Sequence, residues 1–400
     1  MMNRSRACFI GGARYSNPLD PTSRKKFRAL GTIGDLFVIG FSSDLRPTRF
    51  AEGARFYLMP NLPVPLLRYL EVFLLGTLIA CWLVARHKVR VLIAQSPYEG
   101  SAAAVAKLIA GWSGYEVRLV VENHGDFEES IFLQRRIAFP RVYRFFMRRF
   151  ARFSLKHADV LRAISTSTSQ QLERWMPGKP IVQFPTWTDL DVFLTAGART
   201  TKIRSRKIVY AGVLIPRKGV HHLLNAFAAA AADFSDARLV IVGREDNKDY
   251  AAELKRQVKR LALEDRVEFV QPMPQAELAS YMRRACVFVL PSVSEALGRV
   301  VVEAMATGTP VIGSEIGGIP DMVEDGVTGF LVPPGDETKL AEKILRVLAR
   351  PEEADKMGVA ACAFAARFFS TDSYVAGYRR LLELAETFLI EDSEHAPSAV

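Results

Sequence analysis

Residues 291–310, PSVSEALGRVVVEAMATGTP, constrain the fold more than any other part of the chain. The run CVFVL at residues 286–290 is apolar throughout, which is typical of a strand covered on both faces of a sheet. Gly298 then opens a predicted helix, which Gly308 and Pro310 end. A strand, a turn and a helix in this order predict an α/β unit with a parallel sheet.

The start of this predicted helix suits a negatively charged ligand. The first turn of a helix presents unpaired N–H groups, and Gly298 lets the backbone at Arg299 and Val300 approach an anion closely. Glu295 lies just before the helix, and Glu303 lies inside it among apolar neighbours. An enclosed carboxylate at Glu303 needs donors, which a ribose diol supplies; a pair with Arg299 or another cation is the alternative.

The length of 400 residues exceeds one ordinary core and predicts two domains. Strands and helices alternate in both halves, which predicts parallel sheets with helices on both faces. We expect domains at residues 1–194 and 207–372, separated by a polar linker at 195–206 and followed by an amphipathic helix at 373–389.

The four cysteines, Cys8, Cys81, Cys286 and Cys362, lack the spacing of a disulfide framework or a metal site. They suit a reducing compartment, and no cleavable signal peptide is predicted, so we expect a cytoplasmic protein. Residues 1–200 contain 28 Lys and Arg against 15 Asp and Glu, a net charge of +13, which leaves −3 for the second half. This asymmetry indicates that the two halves meet different partners.

Residues 66–86 are the most apolar part of the chain, and Glu71 is the only charge between residues 69 and 85. A predicted strand at 89–94 follows, so the segment reads as a buried crossover helix. An element inserted into a membrane surface and a true membrane span are the alternatives.

Residues 134–157 combine eight basic residues with six aromatic ones. A basic amphipathic helix of this kind can lie on an anionic membrane. A solvated basic face over an aromatic core contact is the second interpretation, and nucleic-acid binding is the third. The basic residues are Arg135, Arg136, Arg141, Arg144, Arg148, Arg149, Arg152 and Lys156, and the aromatic ones are Phe139, Tyr143, Phe145, Phe146, Phe150 and Phe153.

Three further segments complete the pattern. A predicted strand at 117–121 leads to His124, which reads either as a ligand contact or as a residue of a capped turn. A first strand at residues 7–10 ends at Gly11 and Gly12, where ligands of α/β folds bind. In the second half, the strand at 208–211 precedes the loop GVLIPRKG, which contains Arg217 and Lys218.

Together these segments resemble the retaining GT-B glycosyltransferases, the family of sucrose synthase and bacterial lipid and polysaccharide mannosyltransferases. The matching pieces are YAGVLIPRKGV at 210–220 and residues 289–336 with Glu295 and Glu303. The first half matches more loosely, through Gly11–Gly12, ENHGDF and FPTWTDLDVF. The resemblance implies two Rossmann-like domains whose parallel sheets face each other across a cleft, with the final helix crossing back to the first domain.

The resemblance also implies how the donor is held. By position, Lys218 contacts the diphosphate and the amides of Gly298, Arg299 and Val300 hold its distal phosphate. Glu303 binds the ribose.

Other matched residues surround the transferred sugar. Glu295 corresponds to the residue that binds its hydroxyls, His124 to the histidine near the reacting sugar, and Gly12 to a glycine near the phosphates. The phosphate-contacting arginine of the family is replaced by Val213, which leaves Arg217 as a candidate substitute. His124, Lys218 and Glu295 are the expected catalytic residues.

We therefore expect a retaining, metal-independent transferase of a hexosyl or N-acetylhexosaminyl group. It would move the sugar from a UDP- or GDP-sugar to a glycan or lipid-linked acceptor in cell-surface polysaccharide synthesis. No cofactor is expected, because the nucleotide-sugar is a substrate. We also expect no nucleic-acid partner. The inner face of the cytoplasmic membrane is a further candidate partner. The alternatives are a non-catalytic nucleotide-sugar sensor on the same fold and a sugar phosphorylase.

Overall fold

The computed structural model describes residues 5–128, 139–195 and 206–394. The chain divides into two compact units, one formed by Met1–Trp187 with Thr371–Val400 and the other by Thr188–Ser370. Of the predicted linker at 195–206, only the first and last residues lie within the described ranges.

The first unit contains an eight-stranded sheet within the described residues. Its strands are β1 (Ser5–Tyr15), β2 (Gly34–Ser42), β3 (Thr48–Ala51), β4 (Arg55–Met59), β5 (Val91–Ala94), β6 (Arg118–Asn123), β7 (Val160–Ala163) and β8 (Ile181–Gln183). Their spatial order is β3-β4-β2-β1-β5-β6-β7-β8, and all neighbours are parallel except the β3–β4 hairpin.

The helices of this unit connect and cover the sheet. They are α1 (Pro21–Leu30), α2 (Pro65–Glu71), α3 (Thr77–His87), α4 (Gly100–Trp112), α5 (Pro140–His157) and α6 (Thr166–Trp175). A π-helical segment, Val72–Gly76, joins α2 to α3, so residues 65–87 form one continuous crossover helix between β4 and β5.

The second unit contains a six-stranded sheet within the described residues, and its neighbouring strands are parallel. Its strands are β9 (Lys207–Ala211), β10 (Arg238–Val242), β11 (Val267–Val270), β12 (Val287–Leu290), β13 (Val311–Ser314) and β14 (Gly329–Val332), in the order β11-β10-β9-β12-β13-β14. Its helices are α7 (Asp191–Leu194), α8 (Val220–Asp233), α9 (Lys248–Arg260), α10 (Gln275–Arg284), α11 (Arg299–Ala306), α12 (Glu337–Ala349) and α13 (Pro351–Phe368).

The predicted α/β class with two Rossmann-like domains is confirmed. All four residues of β12 are buried, as its unbroken apolar run predicts for a strand covered on both faces. The strand order reverses between β1 and β5 in the first sheet and between β9 and β12 in the second. In open α/β sheets, ligands bind at the carboxyl ends of the strands where the order reverses.

The first sheet differs from the sequence prediction in two places. β1 does not end at Gly11 and Gly12 but continues through them to Tyr15, with a shift of register against β2 between Ile10 and Arg14. The hairpin of β3 and β4 was not predicted, because its strands are short and their charged residues interrupt the apolar pattern.

The last helix, α14 (Thr371–Glu394), belongs to the first unit although it follows the second in sequence. Tyr374, Tyr378, Leu381 and Ala385 recur at helical spacing and are buried in the core of the first unit. Gly377 lies on the same side, where an added methyl group would come within 2.6 Å of the Phe184 ring.

We expect Gly377→Ala to lower the free energy of unfolding by about 1–3 kcal/mol, because Phe184 is buried and the helix must move away from it. The matched control is Gly111→Ala in α4, where an added Cβ would meet no atom within 4 Å. That change should be neutral or stabilise by about 0.5–1 kcal/mol. Urea unfolding followed by circular dichroism measures both, and equal midpoints would contradict the packing of α14.

Candidate active site

Two loops meet at the carboxyl edge of the second sheet, at the point where its strand order reverses. One follows β9 and contains the short 3₁₀ turn Pro216–Lys218, and the other follows β12. The N–H of Val293 donates to the carbonyl oxygen of Arg217 at 2.8 Å. Gly219 has a φ of 67° and an added Cβ would lie 2.0 Å from the carbonyl oxygen of Pro291, so only glycine permits this approach.

An ion pair between Lys218 and Glu295 joins these loops. The Lys218 ammonium donates to Oε2 of Glu295, and the two side chains are only 12% and 10% exposed. Oε2 also accepts from the Ser292 hydroxyl at 3.4 Å. An ammonium group has three N–H donors, so Glu295 leaves part of the capacity of Lys218 for an anion.

Helix α11 begins beside this pair. Gly298, its N-cap residue, has a φ of 83°, a left-handed conformation that glycine adopts without steric cost. The first turn has no intrahelical acceptor for the N–H groups of Arg299 and Val300. These amides and the helix dipole favour a negatively charged group at this end.

Glu303 lies one turn into α11 and is half-buried. Burial raises the pKa of its carboxyl group, and the positive charge of Arg299 offsets that rise in part. Within the part of the chain that the structure describes, no cation lies within ion-pair distance of Glu303, and the Arg299 charge acts on it only over a longer distance. A half-buried carboxylate that has no hydrogen-bond donor among the described residues suits a ligand that brings hydroxyl donors.

Arg217 lies next to Lys218 and has unused donor capacity. Its Nη1 donates to the carbonyl oxygen of Ser294 at 3.3 Å. Its Nε is buried and has no acceptor among the described residues. Val213 stands at the position where the family has an arginine. Its carbonyl oxygen accepts a hydrogen bond from the Tyr210 hydroxyl at 3.1 Å.

In the first unit, His124 follows β6 and contacts a buried charged cluster. Its Nε2 lies 2.7 Å from Oε2 of Glu122, whose other oxygen accepts from Arg162 at 2.8 Å and from the Tyr378 hydroxyl at 2.7 Å. Glu122 and Arg162 are fully buried and are register partners on β6 and β7. The cluster fixes the orientation of the His124 ring and joins it to α14.

The charges of this cluster determine its protonation. Burial alone would raise the pKa of Glu122, but Arg162 and the hydrogen bond with His124 hold it well below the usual value. Arg162 is further surrounded by aromatic rings, the closest being Phe184 with its centroid 3.9 Å from the guanidinium carbon. Glu122 is therefore a carboxylate at every physiological pH.

Gly12 lies within β1, at the strand-order reversal of the first sheet, and not in a loop after it. An added Cβ would lie 3.1 Å from Oε1 of Glu99, and the Gly12 N–H interacts with that carboxyl group. Oε2 of Glu99 is buried and has no hydrogen-bond partner among the described residues. Burial raises the pKa of Glu99, so this edge offers a carboxyl group that a hydroxyl ligand would satisfy.

Sequence reasoning missed Glu122, Arg162, Glu99 and Tyr378. A signal existed for the first two, since each is a lone charge inside an apolar strand, VVEN and VLRA, and opposite charges in adjacent strands can neutralise each other. No pattern pointed to Tyr378, which reaches the cluster from 256 positions away.

The structure groups the predicted residues in two sets. Lys218, Glu295, Gly298, Arg299, Val300, Glu303 and Arg217 lie in the second unit, and His124 and Gly12 lie in the first. Each set lies toward the carboxyl ends of the strands of its sheet, where ligands bind in open α/β sheets.

Comparison with known proteins identifies the class. Residues 199–363 match the family model "Glycosyl transferases group 1", and residues 26–187 match the "Glycosyl transferase 4-like domain". The chain therefore carries these two glycosyltransferase domains, one in each half.

Curated relatives are similar over part of their length. The chain is 37% identical over 166 residues to the D-inositol 3-phosphate glycosyltransferase of Streptomyces griseus, covering 40% of this chain and 35% of that protein. It is 34% identical over 208 residues to the enzyme of that name from Mycobacterium tuberculosis, covering 48% of this chain and 42% of the relative. The matched regions thus span less than half of these relatives.

Solved structures agree in fold. Sucrose-phosphate synthase from Thermosynechococcus elongatus has a TM-score of 0.74 at 22% identity, covering 96% of this chain and all of that one. Anabaena HepE in complex with UDP has a TM-score of 0.71 at 20% identity, covering 94% and 99%. The GT-B fold implied by the sequence is confirmed.

We expect Glu122→Gln to lower the free energy of unfolding by about 3–5 kcal/mol at neutral pH, because Arg162 is left buried without a counter-charge. The folded-state pKa of Glu122 is depressed, so its stabilisation is complete above the unfolded value of 4.5 and declines as the pH falls below it. Urea unfolding should therefore show a difference from wild type that is constant between about pH 7 and pH 5 and shrinks as the pH falls from about 4.5 towards about 3.

The control for this variant is Glu116→Gln, an exposed acid in the same unit. It should change stability by less than about 0.5 kcal/mol. A wild-type stability for Glu122→Gln, or a difference that stays constant with pH, would contradict the role of the pair.

Proposed function

We propose that this chain is a retaining glycosyltransferase that uses a nucleotide-sugar donor without a metal ion. The observation that carries the proposal is the Lys218–Glu295 pair beside the first turn of α11, at the strand-order reversal of the second sheet. The donor diphosphate would take the free donors of Lys218 and the amides of Arg299 and Val300. Glu303 would accept from the ribose diol.

The reaction needs stabilisation of the departing nucleoside diphosphate. As the bond between the anomeric carbon and the phosphate oxygen breaks, negative charge grows on the diphosphate, where Lys218 and the amides of α11 act on it. The acceptor oxygen bonds to the anomeric carbon on the same face and its proton passes to the leaving phosphate oxygen. Glu295 would bind hydroxyls of the transferred sugar, and His124, oriented by Glu122, would contact the same sugar.

For the acceptor we propose a glycan or a lipid-linked precursor of a cell-surface polysaccharide, with the protein acting on the inner face of the cytoplasmic membrane. A phosphorylated cyclitol is the second candidate, because the curated relatives are named for D-inositol 3-phosphate. The donor would be either a UDP-sugar or a GDP-sugar. The structural neighbour HepE has been crystallised with UDP and with UDP-glucose.

We expect Lys218→Ala and Glu303→Ala each to reduce turnover by about tenfold or more with the fold intact, because one loses charge stabilisation and the other loses ribose binding. The assay follows donor hydrolysis and sugar transfer with UDP-, GDP- and ADP-sugars. Lys339→Ala and Glu342→Ala, exposed residues of α12, are matched controls. Wild-type rates in both site variants would remove these assignments, and donor binding without turnover in the wild type would indicate a sensor.

We further expect EDTA to leave turnover unchanged within about twofold, because Lys218 and the helix amides supply the positive charge that a metal ion supplies in other transferases. The product anomer, assigned by NMR, should keep the configuration of the donor. Loss of activity restored by a divalent cation would overturn metal independence, and an inverted anomer would overturn retention.

A further inference from the structure

An apolar stripe is exposed along the crossover helix at residues 65–87. Leu67, Leu70, Leu74 and Leu78 recur every three or four residues, and Leu74 and Leu78 are 60% and 64% exposed. Trp82 continues the row. Exposed leucines in a row are unusual for a surface that faces only water.

The opposite side of this helix is buried in the first unit. Val72, Ala80, Leu83 and Val84 belong to its core, with α4 packed alongside. The segment Leu67–His87 is long and apolar enough to cross a membrane by length and composition. A helix that buries one face in protein can place only its other face in lipid, which favours lying on a bilayer over crossing it.

Helix α5 extends this surface. Phe145 and Phe146 on its first three turns are 66% and 53% exposed. The rings of Phe150 in α5 and Phe73 in the crossover helix lie 6.4 Å apart, so the two apolar surfaces are continuous. Residues 134–138 of the predicted basic segment lie outside the described residues.

A cavity of about 710 Å³ opens beside Phe145 and is strongly basic. Glu128 is the one acid among the described residues that line it, and it accepts from Arg148 at 3.0 Å and from the Trp175 indole at 3.1 Å. Its arginines are Arg141, Arg144, Arg148, Arg149, Arg152 and Arg174. Even without counting Arg144, one carboxylate cannot neutralise the other five guanidinium groups, so the cavity suits phosphate-bearing ligands.

We propose that the leucine stripe and α5 form one docking surface for an anionic lipid bilayer, with lipid phosphates occupying the arginine cavity. We call this the bilayer surface: residues 67–82 and 141–152 with Arg174. This proposal extends the proposed function. It depends on that function in one respect, namely that the acceptor is carried by the membrane. The anionic bilayer would then be the partner of the net positive charge in the first half of the chain.

Charge and shape distinguish this occupant from two others. A second copy of the chain would bring the same arginines face to face, and like charges repel. A nucleic acid would pair with the arginines but would leave the leucine row in water. A bilayer with anionic headgroups accommodates both the leucine row and the arginines. The leucines and phenylalanines would lie at the acyl boundary, and the guanidinium groups would lie at the phosphates.

The test is flotation of the full chain with vesicles of phosphatidylcholine, with and without phosphatidylglycerol, at physiological salt. We expect binding that needs the anionic lipid and weakens at high salt. Arg141→Ala/Arg149→Ala should weaken binding by about fivefold for each arginine. Leu74→Ser/Leu78→Ser should weaken it at least as much, because two exposed side chains no longer insert.

Matched controls lie in the second unit. Val359→Ser removes an equally exposed apolar side chain, and Arg256→Ala/Arg260→Ala removes two exposed charges from α9. Both should bind vesicles as the wild type does. Because all substituted side chains are exposed, thermal melting should be unchanged in every variant.

Three results would overturn the bilayer surface: no flotation with either vesicle, equal flotation of site and control variants, or a dimer that the leucine variant dissociates without any vesicle binding. In the first of these cases, binding of inositol phosphate by the chain would assign the cavity to a soluble phosphate. Donor hydrolysis by the same preparations separates the two proposals. Hydrolysis without flotation would support the proposed transferase and contradict the bilayer surface. Flotation without hydrolysis would support the bilayer surface and contradict the proposed transferase.

Discussion

A buried ion pair between neighbouring parallel strands holds the first unit together. Glu122 and Arg162 would each be costly to bury alone, and together with Tyr378 they pair most of their polar atoms, although Nε of Arg162 has no acceptor among the described residues. The same carboxylate orients His124. A single charged cluster therefore sets both the geometry of a candidate catalytic residue and the seating of the last helix.

In the second unit, another ion pair lies at the candidate donor site. Its strand-order reversal brings Lys218 and Glu295 together from loops that are 77 residues apart in sequence. The pair is nearly buried yet retains donors, and the amides of α11 add positive potential nearby. Topology and backbone geometry thus suit this edge of the sheet to an anion, with few side chains needed.

Much of this could be predicted from the sequence because local patterns carried it. The CVFVL run and Gly298 specified a buried strand and a helix start, and both hold in the structure. The first sheet was harder, since β1 runs through Gly11–Gly12 and the short hairpin has no clear alternation. Contacts such as Tyr378 with Glu122 depend on tertiary packing across 256 residues, which no local pattern encodes.

The first unit is discontinuous in sequence, since Thr188–Ser370 intervenes between its two parts. During synthesis on the ribosome, strands β1–β8 emerge long before α14, and Arg162 then lacks the Tyr378 hydroxyl and the rings of the last helix. The second unit is contiguous and is fully synthesised before α14, so its core can be complete while the first unit still lacks its last helix. Chaperones that shield the nascent sheet would matter most in that interval.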